Sequence, residues 1–317
     1  MNRLSPGSLA PLRPPPGLAQ PQHAVSAGTV CHPLGDKLKR RRGAGSGVAL
    51  MLALGAGLML ARVARASTEE NWRALSLLKA DEALRGFEAD RATATPAGAR
   101  EADFGRAVAL LVRQPLTPEQ VEEARKLFTA LADSGTDDVA QGARYFLGRI
   151  AQHHLEQADP AEAARQYRRL LAEHGASIWA QTALTRLVLL ELYPADPAGA
   201  PAASVAAAEK LLAEARRPVT QSELHLVLAD AIFYYGLPPA EALPHLLAAE
   251  ELRQLDPPTR ADVLVQIAEV SVLVGNRVQA RRFYETFLAE FPLDQRRFMV
   301  GQKLKGLGGG TPPGVGR

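Results

Sequence analysis

Adjacent imidazoles give the chain its strongest hint of metal chemistry, and they occur once, at His153-His154. Neighbouring residues on a helix point about 100° apart, so the two rings do not converge on one ion. Fitted to the surrounding apolar positions, His154 faces inward and His153 outward, which favours a packed and a solvated side chain over two ligands. His225 and His245 stand in separate segments with no cysteine or spaced histidine nearby, and read as structural or surface residues. The chain contains no GxxxxGKS/T loop, GxSxG elbow or HExxH pair. Its glycines at 43, 45 and 47 and at 306–310 do not join a strand to a helix, so they form no phosphate cradle. The pairs Glu122-Glu123, Arg168-Arg169 and Arg281-Arg282 belong to solvated helix faces, and no two carboxylates are set apart as acid and base. Trp179 and Tyr234-Tyr235 read as core or groove-lining residues. The residues therefore predict no catalytic centre, no metal and no cofactor.

The elements that carry these residues are helical. Of 317 residues, 47% are hydrophobic and only 5% aromatic, so the core is built mainly from Ala, Leu and Val. Ala and Leu lose little freedom in a helix, and runs with period-two alternation are absent. The net charge of +3 is unevenly spread. Residues 1–66 hold nine Lys/Arg and one acid, which leaves 28 basic and 33 acidic residues in 67–317. A body of net −5 argues against nucleic-acid binding by bulk charge. The single cysteine, Cys31, rules out an internal disulfide and is compatible with export, because a large core needs no staple.

Residues 1–36 are a Pro/Gly-rich leader expected to be disordered. Segment 37–66 then joins the cations Lys37, Lys39, Arg40, Arg41 and Arg42 to an apolar run from Gly43 to Ala61 and to Ala64-Arg65-Ala66. A basic region, an apolar region and small residues at −3 and −1 make a secretory signal pattern, with cleavage after Ala66. An uncleaved transmembrane anchor is the competing reading, since 43–61 is 19 residues long, although five are glycine. Either way the body lies outside the cytoplasm, periplasmic or anchored to the inner membrane through 43–61. The length of the leader also suggests a downstream start, for example at Val25 or Val30. Cys31 precedes the apolar run and is misplaced for a lipoprotein cysteine.

From Ser67 onward apolar residues recur every three or four positions between short turns. Segment 67–99 reads as one helix to about Ala89 followed by a linker over 91–99. A repeat domain over 100–306 follows, as helices at 100–114 and 118–132, 138–156 and 160–173, 177–192 and 203–217, 221–235 and 239–254, and 258–274 and 277–290. The third pair is split by a loop at 194–201. A capping helix at 294–305 closes the stack, and 307–317 is an expected disordered tail. In the fifth pair Leu264, Ile267, Ala268 and Ser271 share one helix face, Gly275-Asn276 permits a tight turn, and Ala280 allows close approach. Tyr284 and Phe287 fill the space between the helices and Pro292 ends the unit. The second pair repeats this loosely through Leu147, Ile150, Ala151, Asp159, Ala163 and Tyr167, and the fourth through Leu228, Ala229 and Gly236.

This order and spacing resembles the tetratricopeptide repeat, whose period is about 34 residues. Here the equivalent alanines 124, 163, 208, 242 and 280 lie 39, 45, 34 and 38 residues apart, so the array is degenerate. The resemblance implies an all-α fold, a right-handed α-solenoid of about five antiparallel helix pairs with a terminal cap. It also implies a non-catalytic scaffold whose first helices line a concave face that receives a protein or peptide. Carried onto this chain, that face has Tyr145, Arg149 and Gln152 from the second pair, Glu223 and Asp230 from the fourth, and Asp262, Gln266 and Glu269 from the fifth. The later residues form an acidic stripe suited to a basic or amide-rich ligand. Two other readings stay open: an accessory or all-helical part of a cell-wall glycan enzyme, and a self-assembling structural protein.

Overall fold

Short polar residues set just ahead of a proline or an apolar run start most of the helices. Thr95, Thr117, Asp159 and Asp256 each precede a proline, and each side chain accepts a hydrogen bond from a backbone N–H of the first turn. Asp137, Ser177 and Asn276 do the same without the proline. Such caps satisfy donors that the helix leaves bare, and proline lacks the N–H that would be bare anyway. At Thr117 the cap is reciprocal, because Gln120 reaches back to the Thr117 N–H.

The computed structural model describes residues 68–194 and 200–308. The leader 1–36, the signal or anchor segment 37–66, the centre of the 194–201 loop and residues 309–317 lie outside the described residues. In order the helices are α1 (68–76), α2 (Ala80–Thr93), α3 (Pro96–Val112), α4 (Pro118–Asp133), α5 (Asp138–His153), α6 (Pro160–His174), α7 (Ile178–Leu192) and α8 (Pro201–Lys210). They continue as α9 (Pro218–Tyr234), α10 (Pro239–Glu251), α11 (Pro257–Leu273), α12 (Arg277–Glu290) and α13 (Arg297–Gly308). No strand occurs among the described residues, and none of their helices is long and apolar enough to cross a membrane.

The chain is an array of antiparallel helix pairs, as its repeat pattern implies. Each helix packs on the next along the chain. In addition α3, α5, α7 and α9 touch in succession, whereas the second helices make no comparable contact with one another. Closer spacing in the first-helix layer makes that layer the inner one. The signature of the fifth pair is packed as its chemistry demands: Leu264, Ile267, Ala268, Ser271, Ala280, Tyr284 and Phe287 are all buried. Gly275 adopts φ +80°, which costs a residue without Cβ little. Pro292 is exposed beyond the end of α12.

Four stretches differ from the sequence expectation. The single helix up to about Ala89 is broken into α1 and α2 at Leu78, which takes φ +59° with its side chain 79% exposed. No glycine marks this turn, so it was invisible to pattern reading. Trp72 then meets Phe87 edge-on at 5.0 Å, and Asn71 donates to Asp90 at 2.8 Å, so α1 folds back onto α2. The linker 91–99 shrinks to Ala94 and Thr95, because α3 already starts at Pro96. The array of pairs thus begins ahead of residue 100.

In the third pair, the second helix placed at 203–217 ends at Lys210 and tightens to a 3-10 turn over Leu211–Glu214. The cause is Gln181, 1% exposed, whose amide donates to the carbonyls of Gly175 and Glu214 and accepts from the N–H groups of Arg216 and Arg217. These bonds draw the backbone out of the helix. At the other end the tail expected over 307–317 is helical through Gly308, since Leu304 and Leu307 still pack on the core.

Close approach between helices relies on aromatic rings seated on glycines. A Cβ on Gly105 would stand 2.4 Å from the Phe87 ring, and one on Gly148 would stand 2.3 Å from the Tyr167 ring. Tyr167 is fully buried and its hydroxyl is held by Gln152 at 3.0 Å, so the ring has nowhere to swing. Gly148→Ala is expected to cost about 1–3 kcal/mol by overpacking. Gly301→Ala in α13, with nothing within 4 Å of the new Cβ, gains up to about 1 kcal/mol of helix propensity. Urea midpoints of the two variants should therefore move in opposite directions.

Candidate functional site

The residues expected to line the inner face all lie on first helices: Tyr145, Arg149 and Gln152 on α5, Glu223 and Asp230 on α9, and Asp262, Gln266 and Glu269 on α11. On α5, Tyr145 is buried and its hydroxyl takes a weak 3.4 Å hydrogen bond from Arg149. Gln152 accepts from the Tyr167 hydroxyl of α6. Arg186, on α7, lies within electrostatic range of the same group: burial first, then Arg149, Arg186 and His154, hold the His153 pKa below its usual value. His154 is lowered by burial and by Arg149. The two rings stand 6.5 Å apart at 78°.

Neither arginine meets a carboxylate among the described residues. Two uncompensated guanidiniums on adjacent first helices make this part of the inner layer electropositive. Several buried polar atoms on the same helices also have no hydrogen-bond partner in the protein: Gln141 Oε1 and Arg149 Nε on α5, and Trp179 Nε1 and Thr185 Oγ1 on α7. Folded chains rarely leave such atoms unmet.

Farther along, the acidity of the α11 residues is matched from within the chain. Asp262 pairs with Arg296, and Glu269 with Lys303. Both carboxylates lie 34 residues before their cations, one repeat length, and both sets are seven residues apart. Arg296 directly precedes α13 and Lys303 lies within it, so the terminal helix follows α12 at the spacing that a further first helix would have. Glu223 and Asp230 are exposed, and Gln266 is half-buried.

Asp230 stands at an aromatic cluster. Tyr193 at the end of α7 meets Tyr234 edge-on at 5.4 Å and stacks with Tyr235 at 5.9 Å, while Tyr234 and Tyr235 meet edge-on at 5.1 Å. The Tyr235 hydroxyl donates to the Leu192 carbonyl and ties the ends of α7 and α9 together. Burial first, then Asp230, pushes the Tyr193 phenol up to about 12. Burial also raises the Asp230 carboxyl above its usual range, although the side chain still reaches solvent.

Sequence spacing missed the coupling of His225 to His245. Their Nδ1 atoms lie 3.0 Å apart across α9 and α10, and His245 Nε2 faces Glu209 of α8 at 3.2 Å. With Nε2–H of His245 donating to the carboxylate, His245 Nδ1 accepts from Nδ1–H of His225. The triad is a polar joint across three helices, and no group of three His, Cys, Asp or Glu suited to a metal occurs among the described residues. The signal was present in the residue types, but not in a separation of 20 residues.

No family model and no curated protein matches the chain. Solved structures do resemble it. PilW, described as a widely conserved type IV pilus biogenesis factor, is 15% identical, with 75% of this chain and 98% of that one covered and a TM-score of 0.48. A tetratricopeptide repeat protein from Parabacteroides merdae is 14% identical over 78% of this chain and 84% of its own, at 0.40. The TPR2AB domain of yeast Sti1, in its pHSP90 complex, is 14% identical over 78% and 100%, at 0.32.

The histidines give a pH test. Burial lowers the folded-state pKa of His153, His154 and His225 below the ordinary 6.5, with His245 adding to the shift of His225. As pH falls through about 6.5 the unfolded chain takes up protons first, so folded stability declines from there downward. Urea unfolding at pH 7.5, 6.5 and 5.5 should show that decline, and His225→Gln should make it shallower.

Proposed function

We propose that the chain is a non-catalytic scaffold that holds an extended segment of another protein along its inner face, centred on α5 and α7. The observation that carries this reading is the pair Arg149 and Arg186, both half-buried and neither meeting a carboxylate of the fold. A bound segment supplies what the fold does not. An acidic side chain can take both guanidiniums, which suit carboxylates better than ammonium groups do. The inner face proposed here still includes Tyr145, Gln152, Glu223, Asp230, Asp262, Gln266 and Glu269. With Asp262 and Glu269 already paired to Arg296 and Lys303, however, the electropositive patch on α5 and α7 governs the choice of ligand.

The site of action proposed is the bacterial cell envelope, on the outer side of the inner membrane. The support is the order of basic cluster, apolar run and Ala64-Arg65-Ala66 in the sequence. Protease accessibility in spheroplasts tests it: the body should be digested without membrane lysis, and a protected body would refute the assignment.

Binding is tested with a labelled Glu-rich octapeptide and its Gln-rich twin. The acidic peptide should bind more tightly, and more weakly as salt rises. Arg149→Glu combined with Arg186→Glu should weaken it at least about tenfold, the scale of one charge-assisted contact. Equal binding of both peptides, or indifference to the double reversal, would remove the basis of the reading.

A further inference from the structure

The ends of α7 and α9 carry a second recognition element, which rests on the scaffold reading and specifies its ligand further. We infer that Tyr193, Tyr234 and Asp230, buttressed by Tyr235, form an aromatic–carboxylate box that takes a lysine or arginine side chain of the bound segment.

Three independent features favour a cation there. The tyrosine rings meet at 81°, 29° and 74° with centroids 5.1–5.9 Å apart, so they form one aromatic cluster that presents ring faces and edges outward. Tyr193 and Tyr234 are 40% and 68% exposed, which leaves their faces accessible. A cation over such a face is attracted by the ring quadrupole. Asp230 lies four residues before Tyr234, on the same side of α9, and among the described residues meets no cation or hydrogen-bond donor. Helices α7 and α9 both end at this point, at Leu192 and Tyr234, and the negative ends of their dipoles add to the carboxylate. An anion would face all three unfavourably, and a neutral apolar group would leave Asp230 uncompensated.

The box also has a fixed relation to the arginines. Arg186 and Tyr193 are seven residues apart on α7, so they share one side of the helix at a rise of about 10 Å. An extended chain covers that in about three residues. The preferred segment therefore carries an acidic residue and, about three positions away, a lysine or arginine.

The full chain is titrated with the labelled peptide Lys-Ser-Ser-Glu-Glu-Ser-Ser-Lys and with its twin carrying norleucine for both lysines. The lysine peptide should bind about three- to thirtyfold more tightly, the range of one cation–π contact with a carboxylate. Asp230→Asn and Tyr234→Ala should each erase most of that ratio, with both variants as helical by circular dichroism as the unaltered protein. Tyr234→Ala is decisive, because it leaves every charge in place and truncates an exposed ring that the fold does not need. Glu156→Gln, an exposed carboxylate elsewhere, should keep the ratio. A ratio of one in the unaltered protein, or a ratio that survives in Tyr234→Ala, overturns the box. Charge reversal at Arg149 and Arg186 should weaken both peptides alike. If it does not while the ratio persists, the anionic site fails and the box stands.

Discussion

A helix pair standing alone leaves one flank of apolar side chains in water, and in this chain the next pair covers it. The seams between pairs therefore carry the stability, and they are unusually close in the first half. Phe87 sits on Gly105 and Phe104 and Trp179 on Gly142, while within the second pair Tyr167 sits on Gly148. Ring contacts run unbroken from Trp72 through Phe104 and Phe146 to Trp179, although aromatics are only 5% of the chain. Few large side chains are thus spent where helices must meet closely, and alanine fills the rest.

Polar groups close the seams at the turns, where backbone groups need partners. Arg100 donates to the Ser134 carbonyl and to Asp137, Ser222 to the Ala249 carbonyl, and Arg260 to Glu250 and Glu290. Each donor lies in the first two turns of a first helix; Arg100 and Arg260 reach a neighbouring pair through Asp137 and Glu250, while Ser222 ties α9 to α10 within its own pair. Against this background, Arg149 and Arg186 stand out as half-buried cations without a carboxylate. The same contrast separates Asp230 from Asp262 and Glu269, which Arg296 and Lys303 neutralise.

Local chemistry made much of this legible in the sequence. The caps and prolines that start the helices, the fifth-pair residues Leu264, Ala268, Gly275 and Ala280, and the inward His154 all follow from short-range spacing. What escaped depends on residues far apart in the chain or on turns without the usual marker. Leu78 occupies a left-handed turn where glycine would have been the signal. The end of α8 is set by Gln181, 33 residues before Glu214. The acidic stripe on α11 was read without the cations 34 residues later. The tyrosine box needed Tyr193 and Tyr234 brought together from two pairs.

The thin second helix of the third pair has a consequence for how the array changes length. Only Val205 and Ala208 of α8 are buried, while Leu184, Val188 and Leu192 of α7 share one core cluster with Leu224 and Leu228 of α9. The inner layer is continuous past α8, so residues gained or lost there bulge outward. A strict repeat would pass each such change on to every later pair; here an insertion is absorbed where it arises.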